Sequence, residues 1–465
     1  MVRVDNIFKM LPNKKIYILL IFAFILSSIT SLILVNKYDR YEVSTDSIEN
    51  HAMIKGDIPD IWIDGQTIKN DLDNGKNYFD SGKEIFRSYL PPRLIVLYSY
   101  IFKYELFEDW ENKIFNVDKS KVFYLIFQSL FYYICLLFFY KKIINHYPIK
   151  TCFFIILFLA LEPTIFFYHS SFHTESIFFT MEVIMLTLLF DNIEKKIKSI
   201  AIGILLGLMF MQKLVAIYYI IPIAIYYLFK LKIRAVKHIA LIFLFYSSII
   251  FFVGYGNYKR ADLFYFMPPS SKITLHLYFP SIIISKAENI KISKATKLVE
   301  NDKKKWIESN KINLNLEKDR IVYYDYLQKY SIGVLLKYPL TSIKFITWRT
   351  IQTGILNPAY ILEFFKYENG TKKKYYLEEK YKKFNLPMRM FYSLILFGII
   401  IFGFFTSKKQ IKIEHYVLLT LSSLYMLGLL GWANNSRYFA PILIYLSIFF
   451  GHGATNLLEK VKIKT

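Results

Sequence analysis

The sequence predicts an all-α polytopic membrane protein of about ten transmembrane helices, with two large non-cytoplasmic segments that contain amphipathic helices. Three observations predict it. The 465-residue chain is 54% hydrophobic and 18% aromatic, too apolar for a soluble domain of this size. Several apolar runs approach ~20 residues, enough to cross ~30 Å of hydrocarbon as helix. Lysine and arginine recur in alternate short loops, the asymmetry expected of a chain that crosses a bilayer repeatedly. A membrane β-barrel is excluded, because it shows short alternating strands and no long unbroken runs.

The first apolar run, Ile16 to Val35, follows Arg3, Lys9, Lys14 and Lys15. It is too long for a signal-peptide core and no small-residue cleavage site follows, so it reads as an uncleaved first span. Further spans are expected at 122–140, 151–168, 174–190, 199–212, 214–229, 238–254, 389–405, 416–432 and 438–455. The loops with Lys141, Lys142 and Lys150, with Lys195, Lys196 and Lys198, with Lys230, Lys232, Arg234 and Lys237, and with Lys408, Lys409 and Lys412 read as cytoplasmic, as do both termini. The run Ser199 to Phe229 divides at Gln212-Lys213, because one long helix would put the basic loop after it outside. The first half is then only about 13 residues, or ~20 Å, and must tilt or insert partly.

Two segments fall on the outer face, 36–121 and 255–388. The chain thus divides into an N-terminal transmembrane module at 1–254, an outer segment at 255–388 and C-terminal spans at 389–465. Val334 to Leu356 interrupts apolar residues with Lys337, Pro339, Lys344 and Arg349, the pattern of membrane-surface amphipathic helices. The net charge of +23 is scattered between apolar runs, so nucleic acid is not an expected partner. The two cysteines, Cys135 and Cys152, both lie in apolar runs and imply neither a disulfide framework nor a thiolate metal site.

Chemistry concentrates at the outer ends of the spans. "HSSFHTESIFFTMEVIM" puts Glu175 at the first turn of the fourth span, where the helix dipole favours an acid and Thr174 or Ser171 can cap. Glu182 follows seven residues later on the same face, at a depth where an ionisable group needs a wet cleft or a partner. His169, His173 and Glu175 are spaced poorly for a metal, and the histidines read as interfacial. In "FRSYLPPRLIVLYSYIF", Arg87 and Arg93 flank a stiff Pro91-Pro92 turn, well placed to grip a phosphate or to snorkel to headgroups. Arg437 opens the last span, where the dipole repels a cation that lacks an anionic partner. Lys213 stands at an equivalent level. The acids Asp39, Asp46, Glu49 and Glu175 lie on the same face. Cations that hold a lipid phosphate as leaving group, beside a carboxylate that takes a hydroxyl proton, suit sugar transfer from a lipid-linked phosphosugar.

Four short stretches, "TDSIENH", "YLPPRL", "EPTIFFYHSSFHTESIF" and "SRYFAPILIYL", together with "GLMFMQKLVAIYYIIP", resemble the GT-C superfamily of polyprenyl-phosphate-sugar-dependent glycosyltransferases, which includes protein O-mannosyltransferases and lipid A aminoarabinose transferases. The resemblance extends architecturally over nearly the whole chain. It implies an acid close after the first span as general base, matched by Asp46 with Glu49 and Asp39 as rivals. It implies a second acid at Glu175, donor-phosphate contacts from Arg93 or Arg87, and roles near the donor for Lys213 and Arg437. Leu90 precedes the prolines where several members carry a basic or aromatic residue, and the Asp-Glu pair of some members is absent. The implied activity is inverting transfer of a sugar from a polyprenyl-phosphate carrier to an envelope lipid, glycan or protein, at the bacterial inner membrane. No cofactor is expected, with a divalent metal left open. The partners are the lipid-linked donor, membrane lipids and an acceptor that the sequence leaves open. A transporter or flippase of lipid-linked sugars, and an envelope polysaccharide polymerase or ligase, are the alternatives.

Overall fold

The structure is a computed structural model. It describes residues 12–37, 41–42, 58–76, 89–103, 114–115, 119–170, 175–191, 193–267, 269–356, 373–430 and 436–463. Helices occupy every range in which the sequence predicts a span. They are α1 (Pro12–Lys37), α4 (Lys119–Ile143), α5 (Ile149–Leu161) with α6 (Pro163–His169), α7 (Glu175–Leu189), α8 (Lys196–Gln212), α9 (Ile220–Leu231), α10 (Ala235–Ala261), α16 (Lys373–Thr406), α17 (Ile413–Leu430) and α18 (Ser436–Ile463). The first outer segment adds α2 (Ile58–Asp73) and α3 (Leu90–Phe102). It also holds two short strands, β1 (Tyr41–Glu42) and β2 (Ile114–Phe115), paired antiparallel. The second adds α11 (Pro269–Tyr278), α12 (Pro280–Ala287), α13 (Ile292–Ser309), α14 (Glu317–Lys337) and α15 (Pro339–Leu356).

Among the described residues, the stretches Lys14–Leu32, Val122–Ile143, Leu214–Lys259 and Ala440–Val461 are long and apolar enough to cross a membrane, and α5 with α6 makes a fifth. The 46-residue stretch Leu214–Lys259 is not one rod. Tyr246 Oη donates to the Ile217 carbonyl at 2.6 Å, and the Tyr227 ring lies 5.9 Å from that of His238. Along one continuous helix the first pair would stand about 43 Å apart. The chain therefore reverses near Lys232, whose φ is +51°, and α9 and α10 are antiparallel.

The other doubtful junction also resolves into a reversal. Gly203 of α8 packs on Ile242 of α10, and Gly207 packs on Ile249, so these two helices run parallel. A Cβ at either glycine would collide with its neighbour, the small-residue contact that lets membrane helices approach closely. With α8 and α10 parallel and α9 antiparallel to both, the chain must turn back at Lys213. Helix α8 begins at Lys196 and has 17 residues, which is about 25 Å. That corrects the expected short span by one turn at its basic end.

The expected third span is broken. Helices α5 and α6 meet at 51° across Glu162. Pro163 cannot continue the hydrogen-bond ladder of α5. Glu162 caps α6, accepting from the Thr164 and Ile165 amides at 2.9 and 2.8 Å, from Thr164 Oγ1 at 3.1 Å and from Tyr392 Oη at 2.9 Å.

One hydrophobic core joins all these spans, from Ile16 of α1 through Tyr132, Phe178 and Tyr226 to Tyr445 of α18. Polar contacts tie helices within it. Ser27 Oγ of α1 lies 3.1 Å from Ser129 Oγ of α4 and 3.0 Å from Ser170 Oγ beyond α6. The lysine-bearing loops gather at one end of the bundle, where Lys142 and Lys198 both pair with Asp191. Both outer segments join the opposite end. The second has its own small core of Phe279, Ile283, Ile284, Ala295, Val299, Val334 and Phe345. The expected amphipathic stretch forms the end of α14 and all of α15. Val334 and Phe345 are buried, while Leu336, Leu340, Ile343 and Trp348 are exposed.

Candidate active site

Glu175 is placed by the start of α7, and its side chain is fully buried. Lys213 is placed by the chain reversal after α8. Its backbone is extended, with φ −149° and ψ 126°, and its amide donates to the Met209 carbonyl at 2.8 Å. The extended residue ends the helix and turns its side chain across to α7. There Lys213 Nζ donates to Glu175 Oε1 at 2.6 Å. The ammonium also lies 5.8 Å from the Phe178 ring centroid. An ion pair so nearly removed from water has little solvent screening, and each charge depends on the other.

Two helical turns below Glu175, Glu182 is also fully buried, and neither carboxylate oxygen has a hydrogen-bond partner among the described residues. It lies within electrostatic reach of Lys213, Tyr132, Tyr219 and Tyr445. The Tyr219 and Tyr445 rings are 5.6 Å apart, and their hydroxyls interact with each other, with Ser422 beside Tyr219. Three helices, α4, α7 and α18, and the turn after Lys213 thus bring polar groups together beneath the ion pair. The expected outward-facing cleft along α7 is closed at this depth.

Arg93 sits in the first turn of α3, half-buried, and Nη1 donates to the Tyr89 carbonyl at 2.9 Å. Pro91 and Pro92 occupy that turn and remove two of the amide donors that a helix start usually offers. Anion contact at this end therefore depends on the guanidinium. The Tyr89 hydroxyl accepts from Asn257 Nδ2 at 3.0 Å, which fixes this turn to the outer end of α10. Continuing the register of Gly207 on Ile249 puts Asn257 within about one turn of the level of Lys213.

The structure thus joins Glu175 and Lys213 directly and sets Arg93 at the same end of the bundle. Arg437 lies in the first turn of α18, as expected. Asp46, Glu49, Arg87 and the rival Asp39 lie outside the described residues, as does His173. His169 is the last residue of α6. It is fully buried, with its ring stacked on Tyr132 at 3.6 Å and Nδ1 2.9 Å from Ser176 Oγ. Its carbonyl accepts from Gln128 and Ser129. Among the described residues no three His, Cys, Asp or Glu side chains cluster as metal ligands. Sequence reasoning missed Tyr219, Tyr445, Tyr89 and Asn257. Only Asn257 carried a signal, as a lone amide in the apolar run "FFVGYGNYK".

Residues 80–269 match the Alg9-like mannosyltransferase family. That region includes Arg93, Glu175, Glu182 and Lys213. No curated protein matches the chain. Among solved structures, the chain is similar to the archaeal oligosaccharyltransferase AglB from Archaeoglobus fulgidus in complex with an inhibitory peptide and a dolichol-phosphate. Identity is 12%, the TM-score is 0.47, and the match covers 96% of this chain and 51% of that one. The Archaeoglobus fulgidus oligosaccharyltransferase in the apo form gives 11% identity and a TM-score of 0.45 over the same shares. The chain spans about half the length of both. The match to the Alg9-like mannosyltransferase family covers 190 of the 465 residues and spans the helices from α3 to α10 of the apolar bundle.

Proposed function

We propose that this enzyme takes a sugar from a polyprenyl-phosphate carrier and passes it to an envelope lipid, glycan or protein on the outer face of a bacterial inner membrane, with both termini cytoplasmic. The buried Lys213–Glu175 pair carries the reading, because it sets a cation and a carboxylate together at the bundle end opposite the lysine-rich loops. The positive-inside rule makes the lysine-rich end cytoplasmic. The exposed Leu336, Leu340, Ile343 and Trp348, beside Lys337 and Lys344, give the second outer segment a face suited to membrane lipids.

In this mechanism an acceptor hydroxyl attacks the anomeric carbon of the donor. The new C–O bond forms as the bond from that carbon to the phosphate oxygen breaks, with inversion. The hydroxyl proton passes to the carboxylate of Asp46, the general base, with Glu49 and Asp39 as the alternatives. The polyprenyl phosphate leaves as an anion, held by Arg93, Arg87, Lys213 and Arg437. Glu175 orients the sugar or acceptor and keeps Lys213 in place.

The test is transfer of radiolabel from polyprenyl-phosphate sugars to an envelope fraction by the purified protein. Asp46→Asn should abolish transfer and leave folding intact. Full transfer by that variant would remove Asp46 as base. Donor binding or translocation with no covalent product would replace the transferase with a carrier of lipid-linked sugars.

A further inference from the structure

We infer that Asn257 is a positioning residue for the donor phosphate site, acting through Tyr89 on Arg93, and that the same amide ties that site to the second outer segment. The inference rests on the proposed role of Arg93 and extends it to residues outside the proposed machinery.

The contacts form one buried chain. Arg93 Nη1 donates to the Tyr89 carbonyl. The Tyr89 hydroxyl accepts from Asn257 Nδ2 at 3.0 Å, and the same Nδ2 donates to the Tyr265 carbonyl at 2.5 Å. Tyr265 Oη in turn donates to Glu317 Oε1 at 2.9 Å, in the first turn of α14. Tyr89, Asn257 and Tyr265 are 2%, 2% and 6% exposed. Polar contacts this dry at the middle of the chain hold their geometry firmly, because breaking one costs a desolvated hydrogen bond.

Position matters as much as burial. Tyr89 is the residue immediately before α3, and its side chain fixes the point from which the Pro91-Pro92 turn starts. Neither proline donates a backbone hydrogen bond, so the turn has few other anchors. The Tyr89 carbonyl is also the acceptor for Arg93. One amide therefore sets both where the turn begins and where the guanidinium is held. Through Tyr265 and Glu317 it also registers the start of α14 against that turn.

The experiment measures binding of a short-chain polyprenyl monophosphate, without sugar, to the full-length protein in nanodiscs, together with donor KM and kcat. Tyr89→Phe keeps the ring and removes only the acceptor hydroxyl. Asn257→Ala removes both donated bonds. Each should weaken the probe by about three- to tenfold, the worth of one buried hydrogen bond, and raise donor KM more than it lowers kcat. In an Arg93→Ala background, Tyr89→Phe should add nothing, because its effect passes through Arg93. If Arg93→Ala weakens the probe while Tyr89→Phe and Asn257→Ala do not, the inference is wrong. The same holds if Tyr89→Phe and Arg93→Ala simply add. If Arg93→Ala itself leaves the probe unchanged, the phosphate role of Arg93 fails and the inference falls with it.

Discussion

Removing the cation of the Lys213–Glu175 pair should be far worse than removing both charges. Glu175 is fully buried, and the Lys213 side chain is 11% exposed. In Lys213→Met the carboxylate stays desolvated, its contact at 2.6 Å is lost, and breaking such a pair costs about 3–5 kcal/mol. In Glu175→Gln the amide oxygen still accepts from the ammonium, so the cost is about 1–2 kcal/mol. The double variant Glu175→Gln with Lys213→Met leaves no unpaired charge at this position and should return to within about 1–2 kcal/mol of the native protein. Thermal unfolding in one fixed detergent, read by intrinsic fluorescence, measures all three. Sugar transfer should follow a different order. Both single variants and the double should fall by about a hundredfold, because charge and orientation at the reacting centre are lost whether or not the fold recovers. Recovery of stability without recovery of transfer separates site from scaffold. If Lys213→Met is no less stable than Glu175→Gln, the pair is not the buried unit described. If all three variants keep full transfer, the reaction takes place elsewhere.

Glu162→Ala should cost about 2–3 kcal/mol, since it removes the α6 cap and leaves Tyr392 Oη without its acceptor; unchanged melting would show that Pro163 alone sets the bend. His276, in the second outer segment, is held down to about 4, chiefly by burial and then by nearby Lys303, with Glu300 opposing. It also faces Ser331 Oγ at 3.4 Å and the Tyr330 ring. The unfolded histidine titrates near ~6.5, so between that pH and about 4 the unfolded segment binds the extra proton. Stability of residues 269–356 should therefore be full above pH 6.5 and fall by about 1–3 kcal/mol as pH drops toward 4. Hydrogen exchange of α11 and α14 across that range measures it, and His276→Phe should flatten the response. Protection that holds constant with pH in the native protein would refute the burial argument.

Much of the bundle was legible because hydrocarbon leaves few options. Backbone groups in lipid must bond internally, so long apolar runs become helices and basic loops mark their ends. Lys213 was legible for the same reason, since it interrupts an apolar run where no cation belongs. Its pairing was not. Glu175 lies 38 residues away in sequence, and no spacing rule connects the two. The bend in the third span was written in "LEPT", an acid before Pro-Thr that can cap one helix as another ends, but its hydropathy reads as continuous. Tyr219 and Tyr445 were invisible for a compositional reason. The chain has 38 tyrosines, so one more in an apolar run carries no information until burial and partners are known.

Partner accounting, not depth, separates Glu162 from Glu182. Glu162 and Glu182 are 3% and 0% exposed, and burial alone would rank them together. Glu162 accepts from two amides and two hydroxyls, all serving a helix start, so its carboxylate is consumed by the fold. Glu182 accepts nothing among the described residues, and the nearby Tyr219 and Tyr445 hydroxyls interact with each other instead. Its nearest compensation is Lys213, which already donates to Glu175. One ammonium thus serves two carboxylates on one face of α7. Loss of Lys213 removes the ion pair at Glu175 and the attraction at Glu182, whereas loss of either acid leaves the cation with the other. That asymmetry is why Lys213→Met should be the most damaging change at this site.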